Sequence, residues 1–298
     1  MSSVVIAGSG QRGLACAAKL AAAGLDVTVV ERLPHPGGQE PEREAGRLAR
    51  DARRAGARFV LGTLAVQYDG AGIDVLGVDG TGFLPCDALI VATGSRPATR
   101  AELGITGDRC AGVVPGSAAL HLTQAGVLLG HRPLIAGSGA FAIHCAQMQL
   151  AAGAAEVTMT FPAGMTVAGE VPAEVRLFAG YRVASVHGSA RVEVAVLRRQ
   201  VDYSHGDADG VLEGGRDQVR RGGGPFRITV DALILAADMR PMRNIEGAIS
   251  ERGGVFFCQP CGEDRSEQAA LAAATETCRH VLAALRPGRV SIRGASTR

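Results

Sequence analysis

The most constraining feature is the first thirty residues. Val4-Val5-Ile6-Ala7 is followed by Gly8-Ser9-Gly10-Gln11-Arg12-Gly13, an Ala-rich stretch, Gly24, and then Val27-Thr28-Val29-Val30-Glu31. The apolar run reads as a buried parallel strand. Gly8 allows a tight turn, Gly10 lets backbone approach a pyrophosphate, and Gly13 lets a helix pack closely on the strand. The helix N-terminus adds N–H groups and the positive end of a dipole. Glu31 closes the second strand about twenty residues on, where an acid accepts hydrogen bonds from ribose hydroxyls. A lone G-x-G-x-x-G is a weak signal. Strand, glycines, helix, helix stop, second strand and terminal acid in order form a β-α-β unit that binds an adenine dinucleotide.

Two further segments narrow the reading. Arg32-Leu33-Pro34-His35-Pro36-Gly37-Gly38-Gln39 follows the acid directly, and Asp87-Ala88-Leu89-Ile90-Val91-Ala92-Thr93-Gly94 is an apolar strand ending in a small-residue turn. On composition alone these are a turn-rich linker and a buried strand. Together they resemble the flavin side of the two-dinucleotide-domain flavoproteins, the thioredoxin-reductase-like group. That resemblance implies noncovalent FAD, with Gly8, Ser9, Gly10, Gly13, Glu31, Arg32, Gly38, Gln39, Thr93 and Gly94 as cofactor-binding positions.

The pattern then recurs. Pro133-Leu134-Ile135-Ala136-Gly137-Ser138-Gly139-Ala140-Phe141-Ala142 repeats strand, glycines and helix, with Ala142 at the third glycine position. Its second strand, Val157-Thr158-Met159-Thr160-Phe161, ends without an acid for a ribose diol, and Pro162-Ala163-Gly164 offers no basic pair for a 2′-phosphate. In the resembling group this is the pyridine-nucleotide domain, with Gly137 and Gly139 at the nucleotide. NAD(P), another adenine nucleotide or nothing at all remain open for it. Asp231-Ala232-Leu233-Ile234 echoes Asp87-Ala88-Leu89-Ile90, so glycine unit, meander and "D-A-L-I" strand occur twice.

The expected fold class is therefore α/β. Two Rossmann-like dinucleotide-binding domains are expected, the second inserted into the first, each with a small antiparallel meander. Residues 1–105 and 245–298 form the FAD-binding domain, and 106–244 the NAD(P)-type one. Along the chain, residues 40–56 read as an amphipathic helix, 58–84 as the first meander, 118–125 as a helix, and 206–224 as a hairpin tip. The chain's 298 residues suit about two domains.

Charge excludes other classes. Lys plus Arg number 31 against 29 Asp plus Glu. The Arg-rich stretch around Arg43 to Arg54 has interspersed acids and no flanking aromatics, so a solvated helix face is expected, not a nucleic-acid surface. No apolar run reaches the roughly 18 residues a bilayer span needs. The chain goes straight into a strand, with no signal peptide expected. A cytoplasmic protein with mostly reduced cysteines follows.

The C-terminal part departs from the resembling group. Gly254-Val255-Phe256-Phe257-Cys258-Gln259-Pro260-Cys261 lies where that group has "GVF-x-A-G-D"; Gln259 then takes the Gly place and Pro260 the Asp place. Pro has neither N–H nor side-chain acceptor, so that contact is lost or supplied by Glu263 or Asp264. The Cys258-x-x-Cys261 spacing admits a redox dithiol near a flavin, but the expectation is a structural pair, buried thiols whose pKa burial raises. No metal site, no Ser/His/Asp arrangement and no catalytic residue is assigned.

Within the group, residues 103–139 most resemble the FAD/NAD(P)-type subunits of heteromeric amine-oxidising dehydrogenases such as opine oxidase, hydrogen cyanide synthase and dye-linked proline dehydrogenase. The match covers most of residues 1–161 and, more weakly, 231–285. It implies an FAD-dependent oxidoreductase working beside a second flavoprotein on a small amine or amino acid. A self-sufficient NAD(P)H-dependent disulfide or quinone reductase, and a non-catalytic flavin- or nucleotide-binding scaffold, are the alternatives.

Overall fold

The computed structural model describes residues 1–38, 42–165, 167, 169–200, 224–249, 252–259 and 266–285. Two compact units emerge, residues 1–95 with 241–298, and residues 96–240.

The first unit begins with β1 (Ser3–Ala7), α1 (Gln11–Ala22), β2 (Asp26–Val30), α2 (Glu42–Arg54) and β3 (Arg58–Val60). A three-stranded antiparallel meander follows: β4 (Leu64–Tyr68), β5 (Gly72–Gly77) and β6 (Gly80–Pro85). Then comes β7 (Ala88–Val91), and the two-residue β8 (Ser95–Arg96) spans the boundary into the second unit.

The second unit holds β9 (Thr106–Gly107), β10 (Val113–Pro115), α3 (Gly116–Gln124), β11 (Pro133–Ala136), α4 (Ala140–Ala151), β12 (Val157–Phe161) and β13 (Val175–Ala179). It continues with β14 (Tyr181–His187), β15 (Val194–Arg199), β16 (Phe226–Thr229) and β17 (Ala232–Leu235). The chain leaves through β18 (Arg240–Pro241), and β19 (Val255–Phe257) and α5 (Glu267–Ala284) complete the first unit.

Each unit is built on a five-stranded parallel sheet, in the order β19-β7-β1-β2-β3 and β10-β17-β11-β12-β13. This is the doubly wound α/β architecture with one such unit inserted into the other. The two sheets correspond strand by strand. Asp87 Oδ2 accepts from Ser3 N at 2.8 Å, and Asp231 accepts from His131 N and Arg132 N at 2.8 Å each, so both "D-A-L-I" strands begin with the same clamp. One difference is topological. The outermost strand and its helix come last in the first unit (β19, α5) and first in the second (β10, α3).

Both faces of each sheet are covered, which is why the central strands are apolar throughout instead of alternating. In the first unit Val4, Ile6, Val27, Val29 and Ile90 pack against α1 and α5, while Val5, Ala7, Leu89 and Val91 pack against Tyr68, Ile73 and Val75 of the meander. Fully burying a side chain such as Ile6 or Leu89 contributes about 2 kcal/mol. The second unit repeats the plan with Ile135, Met159 and Ile234 against α3 and α4, and Leu134, Leu233 and Leu235 against Val183, Val186 and Leu197.

Two boundaries differ from the sequence reading. Residues 58–60 do not open the meander; they form β3, hydrogen-bonded to β2 in the main sheet. Phe59 draws them there, packing on the helix side of the core. The segment 175–179, unassigned from sequence, is the fifth strand of the second sheet. The expected hairpin tip at 206–224 lies, but for Gly224, outside the described residues. Among the described residues, no helix is long and apolar enough to cross a membrane.

Candidate functional site: two glycine loops

In the first unit the chain leaves β1 through a left-handed turn. Gly8 has φ +105°, its N–H donates to Val30 O at 2.8 Å, and a Cβ there would lie 2.4 Å from Ala92 O. Only glycine fits. A Cβ on Gly13 would lie 2.1 Å from Gly8 O, so helix and turn touch backbone to backbone. Gly10 is the N-cap of α1 with no side-chain cap, and a Cβ there would meet nothing within 4 Å. The helix N-terminus thus opens on free space, as an anion cradle requires.

Ser9 ties this loop to the acid. It is fully buried, and its N–H and hydroxyl donate to Glu31 Oε2 at 2.9 and 2.7 Å. The Leu33 N–H donates to Glu31 Oε1 at 2.9 Å. A carboxylate has about four acceptor positions. Among the described residues, donors take three of them, which leaves one acceptor position on Oε1.

The loop after the acid folds back as expected. Gly37 N donates to both the carbonyl and the hydroxyl of Ser9 at 3.0 Å each. A Cβ on Gly38, whose φ is +63°, would sit 3.7 Å from Gly10 Cα. Arg32 is exposed, and Gln39 lies outside the described residues.

Thr93 and Gly94 stand past the end of β7. Thr93 Oγ1 donates to Met242 O at 2.6 Å and accepts from Gln259 Nε2 at 3.0 Å, and Met242 N donates to Gly94 O at 2.9 Å. Gln259 Nε2 also reaches Met242 O at 2.5 Å. Sequence alignment treated Gln259 only as the wrong residue in a glycine place. It is the strut that holds the Thr93 turn, and its near-complete burial is the signal a sequence does not carry. Pro260, Cys261, Glu263 and Asp264 lie outside the described residues.

A second polar atom was also missed. Arg12 Nε, in the first turn of α1, is buried with no hydrogen-bond partner among the described residues. A guanidinium held there at an uncapped helix N-terminus is suited to an anion. The open cradle at Gly10, this orphaned donor and the one open acceptor on Glu31 together fit the adenine-dinucleotide half of FAD.

The second unit reproduces the turn but not the acid. Gly137 has φ +150°, donates to Thr160 O at 2.9 Å, and a Cβ there would lie 2.5 Å from Ala236 O. Gly139 caps α4 over open space, as Gly10 caps α1. The matched hydrogen bonds Gly8 N–Val30 O and Gly137 N–Thr160 O put Phe161 in the place of Glu31. Phe161 is buried. Ser138, in the place of Ser9, is buried too, and its hydroxyl has no hydrogen-bond partner among the described residues. The hydroxyl of Thr160 bonds to Phe178 O and Tyr181 O. In place of Gly94 stands Asp238, at φ +46°, a conformation Asp tolerates better than most residues.

One thiol expectation is corrected. Cys258 is buried, but its pKa is drawn down to about 7 rather than raised, by a hydrogen bond from Cys16, whose Sγ is 3.7 Å away, and then by Thr277 and the Arg12 charge against the opposing effect of burial. Cys16 is pushed up because it donates to Cys258 and Cys278 and is buried.

A Ser/His/Asp cluster absent from the sequence reading also exists. Ser185 Oγ and His187 Nε2 are 3.0 Å apart, and His187 Nδ1 is 3.5 Å from Asp108 Oδ2. Asp108 Oδ2 already accepts from Gly188 N, and the His–Asp distance is too long for an aligned triad. Among the described residues, no His, Cys, Asp or Glu cluster is arranged to hold a metal.

Residues 1–115 match the pyridine nucleotide-disulphide oxidoreductase family. Solved structures extend the fold to the whole chain. A thioredoxin reductase from Lactococcus lactis aligns at TM-score 0.62 and 14% identity, covering 95% of this chain and 99% of that one. A T. acidophilum thioredoxin reductase gives 0.63 and 15%, with the same coverage. The L-proline dehydrogenase of P. horikoshii gives 0.58 and 16%; there the alignment covers 95% of this chain but 55% of that one. Among curated proteins, none matches the chain in sequence.

Proposed function

We propose that this chain is an FAD-dependent oxidoreductase that takes its electrons from a partner subunit oxidising a small amine or amino acid. FAD would occupy residues 1–105 with 245–298, held by Gly8, Ser9, Gly10, Gly13, Glu31, Arg32, Gly38, Gln39, Thr93 and Gly94, with Arg12 added from the structure. When bound, the flavin supplies hydride and electron transfer. The residues of this chain bind and orient it: α1 faces the pyrophosphate, Glu31 takes one ribose hydroxyl, and the Gln259–Thr93 strut fixes the turn after β7.

The carrying observation is the contrast at one position, Glu31 in the first loop and buried Phe161 in the second. An NAD(P)H-driven reductase needs a ribose-gripping second site in residues 106–244. Phe161 withdraws that grip while Gly137 and Gly139 keep the turn. The structural match to an L-proline dehydrogenase is the comparison that supports amino-acid oxidation. The thioredoxin-reductase matches support the self-sufficient reductase instead.

The test is the visible spectrum of the purified protein, then turnover. A yellow protein that NAD(P)H leaves oxidised, and that an amine or amino acid bleaches only with a co-purified second flavoprotein, is the expected result. Direct NADH or NADPH bleaching supports the reductase. A flavin-bearing chain dispensable for turnover of the complex supports the scaffold.

A further inference from the structure

We propose that Cys16 and Cys258 are a reversible disulfide-forming pair, a modification site buried behind the first glycine loop. Cys16 lies on the second turn of α1, the helix whose N-terminus forms that loop. Cys258 follows β19 directly, anchored by its N–H to Val91 O at 2.9 Å. Their sulfurs are 3.7 Å apart, with both side chains in the core between α1 and α5. A disulfide needs about 2.05 Å, so side-chain rotation has to close a gap of less than 2 Å. Cys278 is close by but is turned toward the Cys16 carbonyl, 3.8 Å from its oxygen.

Hydrogen bonding to Cys16 lowers the pKa of both Cys258 and Cys278, and the 3.7 Å sulfur–sulfur contact selects Cys258 as the attacking sulfur. Cys258 also has the Thr277 side chain and the field of Arg12 on its side. The thiolate is the reactive form of cysteine. Cys16 keeps its proton, as donor to its neighbours. A lowered thiol with a protonated partner at contact distance is the arrangement that sulfenic-acid condensation requires.

The oxidant is a peroxide of the smallest class, hydrogen peroxide, which can reach the pair through local opening of the α1–α5 contact. The Cys258 thiolate attacks one peroxide oxygen; the O–O bond breaks, an S–O bond forms, and the departing hydroxide takes a proton to become water. Cys16 sulfur then attacks Cys258 sulfur. The S–O bond breaks, and the oxygen leaves as a second water with the Cys16 proton. Two thiols lose two electrons and two protons, and the peroxide is reduced to two waters. A small dithiol reverses the bond by exchange. The bond would fasten α1 to the end of β19.

Trypsin separates the three cysteines into residues 13–19, 253–265 and 266–279. The experiment uses the full chain carrying Cys261→Ser, so that 253–265 holds a single thiol and all three core cysteines remain. The protein is exposed to hydrogen peroxide under native conditions, alkylated in denaturant and digested. The expected result is a peptide pair 13–19 with 253–265, two hydrogens lighter than the sum, that dithiothreitol releases. A link from 13–19 to 266–279, a Cys258 overoxidised without a link, or complete alkylation of all three thiols overturns the proposal. So does a loop bond inside 253–265 as the sole product in the unsubstituted chain.

Discussion

In the first glycine loop the hydroxyl between the two glycines, on Ser9, bonds to a carboxylate. In the second the matching hydroxyl, on Ser138, is buried and has no partner among the described residues. Three features of the turns agree: a left-handed first glycine that admits no Cβ, an open second glycine at an uncapped helix start, and a carbonyl of the neighbouring strand receiving the glycine N–H. The turn and the ligand grip are therefore separable. Backbone sterics hold the turn, since a Cβ on Gly8 or Gly137 would meet a backbone carbonyl. The acid is not held in that way, and a buried Phe161 stands in its place in the second unit.

That comparison can be broken most forcefully at the open glycines. Gly10→Val meets no protein atom near its Cβ, so the chain should fold, and it should lose flavin altogether. Gly139→Val should leave flavin content unchanged. The ratio of flavin to protein absorbance after gel filtration reads both, and a yellow Gly10→Val protein would refute the first loop's assignment.

Next in size is helix–turn contact. Gly13→Ala places a carbon 2.1 Å from Gly8 O and should destabilise by about 3 kcal/mol or more. Its counterpart Ala142→Gly removes only a methyl and should cost about 1 kcal/mol. Thermal melts of the two variants check this difference; a Gly13→Ala loss no larger than that of Ala142→Gly would contradict the close backbone contact at Gly13.

The serines give a smaller and opposite pair of effects. Ser9→Ala leaves Glu31 and Gly37 each short of a partner and should cost about 1–3 kcal/mol, with weaker flavin binding. Ser138→Ala relieves a buried hydroxyl that has no partner and should be neutral or stabilising by up to about 1 kcal/mol. A melt that drops for Ser138→Ala would show that its hydroxyl serves a ligand or a water.

The smallest effect expected is none at all. Anaerobic NADH or NADPH should leave the flavin band unaltered. Rapid bleaching would mean that the second loop grips a pyridine nucleotide without an acid.

Much of this was legible in the sequence because the repeat is written in residue types with few substitutes. Gly8, Gly13 and Gly137 can be nothing else, and their spacing to Glu31 and Phe161 gives the strand–helix–strand frame and the missing acid. Arg58 to Val60 were misplaced because three residues carry too little periodicity to tell a sheet edge from a meander. Gln259 and the Cys16–Cys258 contact were illegible for a different reason. Each depends on partners brought together across the chain, Gln259 with Thr93 and Cys258 with Cys16 some 240 positions away.

The reversed position of the outer strand has a consequence for biosynthesis. The second unit's sheet has all five of its strands once residue 240 has left the ribosome, so it can form while the chain is still growing. The first unit waits. Its β19 and α5 are made last, and until they arrive the helix behind the Gly8–Gly13 turn has one bare side. Translation thus orders the two units: the inserted sheet is complete first, and the dinucleotide cradle, although encoded ahead of it, gains its last packing partners afterwards.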